Sequence, residues 1–318
     1  MIGLIAVIVL MPFTVKFAWR IGAIDVPKDF RRMHRRSIPR NGGMAIILGL
    51  LIGCALLERS AFSNRLLICG TAVFLVGLLD DVYSLSPWIK LSVQLFATVG
   101  IVLEAPGIYG ISSAGAAFWV LALTNAHNFI DGLDGLFAGA AIMEAIGLGV
   151  LLLLQQDATI AQLAFLMAGT CFGFRLFNRQ PARIFAGDCG SGSVGFLLGG
   201  LSLRLFENPT PATGVGVCLL FAYPLADLTT AVLRRILRGK SPFSADRGHL
   251  HHRICDAGVS KSQCVSILLS ITLGFCTLAV LIGAFQLYEL ASLGCFLMAF
   301  LLIAIRYRIT ANRKENTA

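Results

Sequence analysis

Charged residues are scarce in this sequence of 318 residues: Asp, Glu, Lys and Arg make up 14% of it, whereas hydrophobic residues make up 57%. Soluble domains carry about 25% charged residues, so the composition excludes a soluble enzyme and a disordered chain. No CxxC pair occurs among the nine cysteines, most of which lie within apolar runs. We interpret them as small apolar residues in helices, not as a disulfide framework. The sequence predicts an integral membrane protein.

Apolar segments bounded by charged residues occupy most of the chain, and about 20 apolar residues span a bilayer. The predicted fold class is all-α: a polytopic transmembrane helical bundle of about 11 helices (10 or 11), forming one integral membrane domain over residues 1–318. The first run, Met1–Val15, lacks a basic n-region, so we interpret it as a helix, not a removed signal peptide. The candidate helices lie near residues 1–19, 42–57, 66–79, 91–104, 114–124, 136–154, 160–177, 193–206, 212–231, 264–286 and 289–305.

The distribution of Lys and Arg predicts the orientation in the membrane. Alternate loops and the C-terminal tail hold 22 of the 26 basic residues, and basic loops remain in the cytoplasm. We therefore expect the N-terminus outside and the C-terminus in the cytoplasm. The net charge of +9 then belongs to these loops, and no basic, aromatic-rich surface indicates a nucleic-acid partner. The expected cytoplasmic loops lie near residues 20–41, 80–90, 125–135, 178–192 and 232–262.

Two adjacent carboxylates, Asp80 and Asp81, close the third candidate helix in the motif GLLDDVY. Because like charges side by side repel, the pair needs a cation or must share a proton. The alternative is a polar helix end that faces water. Lys90 follows nine residues after Asp81 and can serve as a membrane-surface anchor or as a point charge for a phosphate.

The motif NAHNFIDGLDGL places an oxygen-bearing side chain at every third position, at Asn125, Asn128, Asp131 and Asp134. On a continuous α-helix these side chains diverge, because each step of three residues turns their direction by about 60°. A convergent site therefore requires a break in the helix, for which Gly132 and Gly135 supply the backbone freedom. An all-oxygen ligand set favours Mg²⁺, with Mn²⁺ as the alternative, over zinc.

Two further cytoplasmic motifs carry polar groups. In GDCGSGS, Asp188 lies between glycines before a predicted helix start, which favours an anion beside a metal-binding carboxylate. In GHLHHR, a helix would place His249, His252 and Arg253 on one face, with His251 pointing away. Such cationic, hydrogen-bonding groups suit a diphosphate.

The basic loop over residues 25–43 precedes the second candidate helix. This loop would either bind the anionic membrane surface, which we slightly prefer, or contribute to the site.

Taken together, GLLDD with a lysine nine residues on, NxxNxxDGxDGL, GDxGS and GHLHHR, in this order, resemble the motifs of the polyprenyl-phosphate N-acetylhexosamine-1-phosphate transferase superfamily. The basic loop, with its DxPxxxRxxH…P…GG pattern, resembles the N-terminal loop of the same family. The resemblance covers residues 20–260. The HxHHR form is more similar to the branch that primes O-antigen, enterobacterial common antigen or teichoic acid synthesis than to the branch acting on UDP-MurNAc-pentapeptide.

The resemblance implies an Mg²⁺-dependent phosphoglycosyl transferase of the bacterial cytoplasmic membrane, with its active site facing the cytoplasm. The implied substrates are undecaprenyl phosphate and a UDP-N-acetylhexosamine, either UDP-GlcNAc or a related N-acetylated deoxyhexose. The products would be UMP and a lipid-linked diphosphate that starts a glycan. Membrane lipid surrounds the protein, and the oligomeric state is left open, with a homodimer among the alternatives.

The resemblance also implies roles for individual residues. The implied metal ligands are Asn128 and Asp188. The implied catalytic residues, of which the first two would position or deprotonate the lipid phosphate, are Asp80, Asp81, Asp131, His249 and His252. The implied substrate-binding residues, with Lys90 and Arg253 on the diphosphate and Asp134 on the uracil, are Lys90, Asn125, Asp134, Arg253 and His251.

A phosphate monoester is largely ionised at neutral pH, because its second pKa is about 6. Alignment and charge neutralisation then matter more than a strong base. We therefore expect direct attack of the lipid phosphate on the β-phosphate, with a covalent aspartyl-phosphate step as the alternative. The rival class is a transporter or lipid flippase with a carboxylate and histidine site, which would place its polar groups at mid-membrane.

Overall fold

The computed structural model describes residues 1–26, 37–103, 112–207, 210–241 and 248–287. Within these ranges the chain is almost entirely helical, with one pair of two-residue antiparallel strands, β1 (Ile24–Asp25) and β2 (Ile38–Pro39). A short 3₁₀ helix, Leu203–Phe206, continues α8. The helices are α1 (Ile2–Ile21), α2 (Gly43–Cys54), α3 (Ala61–Tyr83), α4 (Pro87–Val102), α5 (Ser113–Ile130), α6 (Leu136–Leu154), α7 (Ala158–Asn178), α8 (Gly187–Ser202), α9 (Pro211–Leu220), α10 (Ala222–Leu237), α11 (Leu250–Asp256) and α12 (Lys261–Phe285).

The predicted all-α membrane fold is confirmed. In the described part of the chain, six helices are long and apolar enough to cross a bilayer, and α9 with α10 make a seventh if that bent pair is one span. The apolar helices α2 and α4 are shorter, with 12 and 16 residues. The candidate helix at 289–305 lies outside the described residues. The number of transmembrane helices therefore stays a prediction, whereas the multi-pass character is confirmed.

The predicted helix at 212–231 is broken into α9 and α10, which meet at an angle of 69°. Pro224 lies in the first turn of α10. Its nitrogen has no hydrogen, so the helical bond from residue 224 to the carbonyl of Leu220 cannot form. The Sγ of Cys276 lies 3.8 Å from that carbonyl oxygen. The bend turns α10 toward the end of the bundle where the polar motifs lie.

Helix α8 lies at the centre of the bundle, and almost all of its residues are buried. Its glycines and serines allow close packing against neighbouring helices, as small residues do in membrane proteins. A Cβ at Gly195, for example, would lie 2.6 Å from the carbonyl oxygen of Leu123 on α5. Because α8 begins at Gly187, the central helix carries Asp188 into the middle of the surrounding helix ends.

Candidate active site

A cavity of about 940 Å³ opens where several helices end, and it contains five of the residues singled out from the sequence. Its wall combines the loop before α2, the connection from α5 to α6, the loop from α7 to α8, and single residues of α11 and α12. The polar residues that line it are Asp25, Ser37, Arg40, Asn128, Asp131, Asp134, Gln180, Arg183, Asp188, His252 and Lys261.

Lys90 joins two of the predicted acidic motifs. Its Nζ lies 2.6 Å from Asp188 Oδ2 and 2.9 Å from Asp80 Oδ2. The other oxygen of Asp80 accepts a hydrogen bond of 2.7 Å from the backbone N–H of Leu85, which fixes the carboxylate at the end of α3. Lys90 is thus a counter-ion within the acidic cluster, and its ammonium lies where a phosphate could reach it.

The carboxylate of Asp81, at the end of α3, caps the N-terminus of α8. Its two oxygens accept hydrogen bonds from the backbone N–H groups of Asp188 (2.9 Å) and Cys189 (3.1 Å). A helix N-terminus stabilises negative charge, as the sequence led us to expect, but in this structure the anion is the chain's own carboxylate. Arg40 Nη2 lies 2.9 Å from Asp81 Oδ1 and 3.5 Å from Asp188 Oδ1. Arg40 therefore bridges α3 and α8.

Gly187 permits this close assembly. Its φ of +72° lies in the left-handed region. A Cβ there would collide with the backbone oxygen of Arg40 and with the carboxylate of Asp81. Gly187, the first glycine of GDCGSGS, is thus required because Arg40 and Asp81 both lie against its Cα.

The break predicted in NAHNFIDGLDGL is present, because α5 ends at Ile130 and α6 begins at Leu136. Asn128, Asp131 and Asp134 line the cavity. Asn125 does not lie among the lining residues: its amide nitrogen donates to Gln94 Oε1 (3.1 Å) and to the Leu121 carbonyl (2.8 Å). The helix continues through residue 130, so Asn125 still faces α4. The implied substrate-binding role of Asn125 stays a prediction.

Asp131 has a carboxylate with no hydrogen bond or ion pair to the described part of the chain, although it faces the cavity. Burial and the nearby carboxylates of Asp188 and Asp81 raise its pKa well above the usual value, and Arg40 only partly opposes them. Four aspartates thus converge on two side-chain cations, Arg40 and Lys90.

This excess of carboxylates is the observation that bears on a metal ion. The oxygens of Asn128, Asp131 and Asp188 share one cavity and are hard ligands of the kind that Mg²⁺ takes. No set of three or more His, Cys, Asp or Glu side chains in the described ranges is arranged as a metal-binding cluster. The donors therefore fit Mg²⁺ in their chemistry, while their present geometry places side-chain cations among them.

Asp134 is tied to the loop before α8. Its Oδ2 accepts a hydrogen bond of 2.9 Å from the backbone N–H of Ala182. Asn178 strengthens the same junction, since its side chain accepts from Gly135 N and donates to the Ile184 carbonyl, both at 2.9 Å. These bonds hold the two cavity walls together, and no sequence pattern indicated Asn178.

The histidine motif lies beside the same cavity. His252 lines the cavity, and Arg253 is half-buried next to it. His251 is 2% exposed and lies so close to the backbone that a Cβ at Gly132 would be 2.5 Å from its Nε2. Burial and the neighbouring His252 lower the pKa of His251 to about 3. His251 therefore packs against the loop that carries Asp131.

His249 precedes α11 and pairs with a residue that the sequence analysis did not assign to the site. Its Nδ1 lies 2.8 Å from Asp227 Oδ2 on α10. Arg40 lies in the basic loop for which membrane-surface electrostatics and a role in the site were both considered. Its ion pairs with Asp81 and Asp188 favour a role in the site. Neither Arg40 nor Asp227 lies in a repeating polar pattern, so only the packing of separate elements reveals them.

Comparison with known proteins gives consistent matches. Residues 64–206 match the family model described as glycosyl transferase family 4. The chain is 30% identical over 321 residues to a probable undecaprenyl-phosphate N-acetylglucosaminyl 1-phosphate transferase of Bacillus subtilis, covering 95% of this chain and 88% of the relative. It is 31% identical over 318 residues to the undecaprenyl-phosphate alpha-N-acetylglucosaminyl 1-phosphate transferase of Escherichia coli O157:H7, covering 91% and 85%. A decaprenyl-phosphate N-acetylglucosaminephosphotransferase of Mycobacterium tuberculosis is 32% identical over 298 residues, covering 79% and 73%.

Proposed function

The chain belongs to glycosyl transferase family 4, and from that premise we propose that it transfers N-acetylhexosamine 1-phosphate from a UDP-sugar to undecaprenyl phosphate. UDP-GlcNAc is the expected donor, because the relatives are named as N-acetylglucosamine 1-phosphate transferases. The expected product starts a lipid-linked glycan of the O-antigen, common antigen or teichoic acid type. Membership of this family decides against the transporter or flippase alternative.

The reaction exchanges one phosphoanhydride for another. An oxygen of the lipid phosphate forms a bond to the β-phosphorus of the UDP-sugar. The bond between that phosphorus and the oxygen bridging it to the α-phosphorus breaks, and the electron pair leaves with UMP. The sugar stays on the β-phosphate throughout. Negative charge is concentrated at this centre, so cations and alignment carry the catalysis.

Lys90 is the group that we assign to the attacking or transferred phosphate. Its ammonium already lies between Asp80 and Asp188, and it needs to move only from one anion to another to contact a phosphate oxygen. Asp80 then orients Lys90 and the acceptor. Both oxygens of Asp81 are engaged by α8 and Arg40, which supports direct attack over a covalent intermediate on Asp81.

The same cavity supplies groups for the donor. We assign Asn128, Asp131 and Asp188 to Mg²⁺, with Mn²⁺ as the alternative; when bound, the ion would neutralise the diphosphate charge. His249, His252 and Arg253 are assigned to the diphosphate, and the free face of Asp134 to the uracil. His251 is assigned a packing role beside these groups.

The orientation follows from the basic loops. We place the cavity at the cytoplasmic face, with the N-terminus outside and the C-terminus inside, in the bacterial inner membrane. The donor nucleotide would then enter from the cytoplasm, and the acceptor lipid from the surrounding membrane. The observation that best supports the whole proposal is the convergence of four aspartates from three segments around Arg40 and Lys90, namely Asp80, Asp81, Asp131 and Asp188.

The proposal is tested with purified protein, Mg²⁺, undecaprenyl phosphate and a panel of UDP-N-acetylhexosamines, scored for release of UMP. We expect turnover with UDP-GlcNAc and none when the lipid phosphate is omitted. Asp188→Ala and Asn128→Ala should abolish turnover. Asp157→Asn should retain it, because Asp157 lies in a partly buried ion pair with Arg204, at the ends of α7 and α8 that are far from the cavity. No UMP from any donor would refute the proposal.

A further inference from the structure

Asp227 on α10 is a buried carboxylate for which the proposed reaction has so far no use. Its side chain is 1% exposed. One oxygen, Oδ2, lies 2.8 Å from His249 Nδ1, and the other, Oδ1, accepts a hydrogen bond of 2.8 Å from the backbone N–H of Leu250. The two bonds hold both the ring of His249 and the backbone that follows it. Burying a carboxylate is costly unless it is fully hydrogen-bonded, and this pairing satisfies Asp227.

The contact with Asp227 determines which nitrogen of His249 is available. An ionised carboxylate can only accept hydrogen bonds, so Nδ1 of His249 must donate. Its Nε2 makes no hydrogen bond to the described part of the chain. It is not one of the buried atoms there that lack a hydrogen-bond partner, so it retains accessible surface. The side chain is 10% exposed. Nε2 is therefore the atom through which His249 can meet a ligand.

The ring of His249 lies next to the cavity. It packs edge-on against Phe129, the residue after Asn128, with the ring centres 5.1 Å apart. It stacks on His251 at 5.8 Å, and the ring of the cavity-lining His252 lies 6.5 Å away. Phe129 and His251 confine the ring from two sides, while Asp227 fixes its rotation.

We propose that Asp227 is a positioning residue that holds His249 with its Nε2–H directed to a phosphate oxygen of the donor's diphosphate. The inference rests on the proposed function, because it takes the diphosphate of a UDP-sugar as the ligand. An imidazole that donates from both nitrogens carries a positive charge. Asp227 thus fixes the hydrogen on Nδ1 and the orientation of the ring, as carboxylates that orient histidines do in other sites.

Charged groups around the ring agree with this assignment. From α10, Asp227 supplies the negative charge, and the guanidinium of Arg235 lies 5.1 Å from the ring centre of Phe129, on which it stacks. From α11, His251 and His252 are the neighbours. Among these described groups, Asp227 is the one anion, and it makes the hydrogen bond that fixes the ring of His249.

Asp227→Asn tests the proposal with little change of shape. The amide oxygen can still accept from Leu250 N–H, while the amide nitrogen now donates toward Nδ1 of His249. The imidazole must then accept at Nδ1 and be neutral, although its Nε2–H remains. We expect the KM for UDP-GlcNAc and the Kd for UDP to rise about tenfold, because a charge-assisted hydrogen bond becomes a neutral one. The kcat should fall by a smaller factor.

Asp227→Ser is the second variant, for the case that Asp227→Asn does not fold, and the same weakening of UDP binding is expected. Asp256→Asn is the matched control: it removes an exposed carboxylate from α11 and should leave UDP binding unchanged. Hydrogen exchange of the Leu250 amide gives a readout that needs no substrate. It should be retained in Asp227→Asn and at least tenfold faster in Asp227→Ala.

Wild-type affinity for UDP in Asp227→Asn and Asp227→Ser, in a protein that turns over UDP-GlcNAc, would overturn the proposal. A wild-type protein that releases no UMP would instead refute the proposed function, and the diphosphate contact with it. In that case the Leu250 exchange still decides whether Asp227 positions the His249 segment: unchanged exchange in Asp227→Ala would overturn that part as well.

Discussion

The guanidinium of Arg40 and the carboxylate of Asp81 lie 2.9 Å apart and join the loop before α2 to the last turn of α3. Asp81 has no exposed side-chain surface, and the Arg40 side chain is 26% exposed. Burial tends to lower the pKa of Arg40, but the carboxylates of Asp81, Asp188 and Asp80 outweigh it and raise the pKa overall. Arg40 therefore stays charged and offsets two carboxylates that α3 and α8 bring together.

Removing the positive charge of Arg40 should destabilise the protein and abolish turnover. Arg40→Ala leaves Asp81 buried without its cation, which costs about 3 kcal/mol for a broken buried pair. Thermal unfolding in detergent should show a clearly lower midpoint, and UMP release should fall at least a hundredfold. Arg179→Ala, at an exposed position after α7, is the control and should behave as wild type. Equal stability of the two variants would contradict the bridging role.

Neutralising Lys90 should separate metal binding from catalysis. Lys90→Gln removes the cation between Asp80 and Asp188, so the protein alone should bind Mg²⁺ several-fold more tightly, as measured by the Mg²⁺ dependence of its unfolding midpoint. Turnover should nevertheless fall at least a hundredfold, because the phosphate loses its point charge. Unchanged Mg²⁺ dependence together with normal turnover would remove Lys90 from the site.

A methyl group at Gly187 should be far more harmful than one at Gly192, in the second turn of α8. Gly187→Ala places a Cβ against Arg40 and Asp81 at a positive φ, whereas a Cβ at Gly192 meets nothing within 4 Å. Gly192→Ala should keep activity and gain about 0.5–1 kcal/mol of helix stability. Gly187→Ala should lose activity at least a hundredfold. Unfolding curves and UMP release of the two variants decide the comparison.

The buried pair of His127 and Glu144 should stabilise the junction of α5 and α6. Nε2 of His127 lies 2.6 Å from Glu144 Oε2, neither side chain is exposed, and Nδ1 lies 2.8 Å from the Leu123 carbonyl. Glu144→Ala should cost about 3 kcal/mol of stability, and Glu144→Gln, which can still hydrogen-bond to the ring, about 1 kcal/mol. Glu58→Ala, at an exposed position, should change stability by less than about 0.5 kcal/mol. Similar midpoints for Glu144→Ala and Glu58→Ala would show that the pair contributes nothing.

His251 should make the protein sensitive to acid. Its pKa is lowered to about 3 in the folded state, against about 6.5 in an unfolded chain. The unfolded state therefore binds the extra proton first, and stability declines as the pH falls from about 6.5 toward 3, by at most about 1.4 kcal/mol per pH unit. His251→Gln should flatten the pH dependence of the unfolding midpoint between pH 6.5 and 4. An unchanged slope would mean that His251 is not buried in a neutral form.

Sequence patterns predicted the local elements well where composition dominates. The apolar runs correspond to helices because burial of apolar surface and internal hydrogen bonding leave few alternatives in a membrane. The prediction of one continuous helix over residues 212–231 was wrong. The chain forms two helices there, and Pro224 removes a backbone hydrogen bond at the break. Helix α5 was predicted to end at residue 124 but continues to Ile130, which leaves Asn125 facing α4.

Motif spacing predicted that Asn125, Asn128, Asp131 and Asp134 converge, because a turn containing two glycines can redirect side chains that a helix would spread. The last three line the cavity, whereas Asn125 does not. The spacing could not identify Arg40, Asn178 or Asp227. Each of these residues joins separate segments through two contacts that leave no periodic pattern in the sequence.

By itself, the order of apolar runs determined that the chain is a helical membrane protein, and the resemblance of its motifs to a known family predicted a phosphate-transfer site at the ends of its helices. Those properties depend on local hydrophobicity and on the chemistry of short motifs. The tertiary structure alone decided which charged groups pair, namely Arg40 with Asp81 and Lys90 with Asp80 and Asp188, and that Asp227 holds the ring of His249. Pairing of buried charges depends on distances of a few ångströms between elements far apart in the chain, and packing around α8 sets those distances.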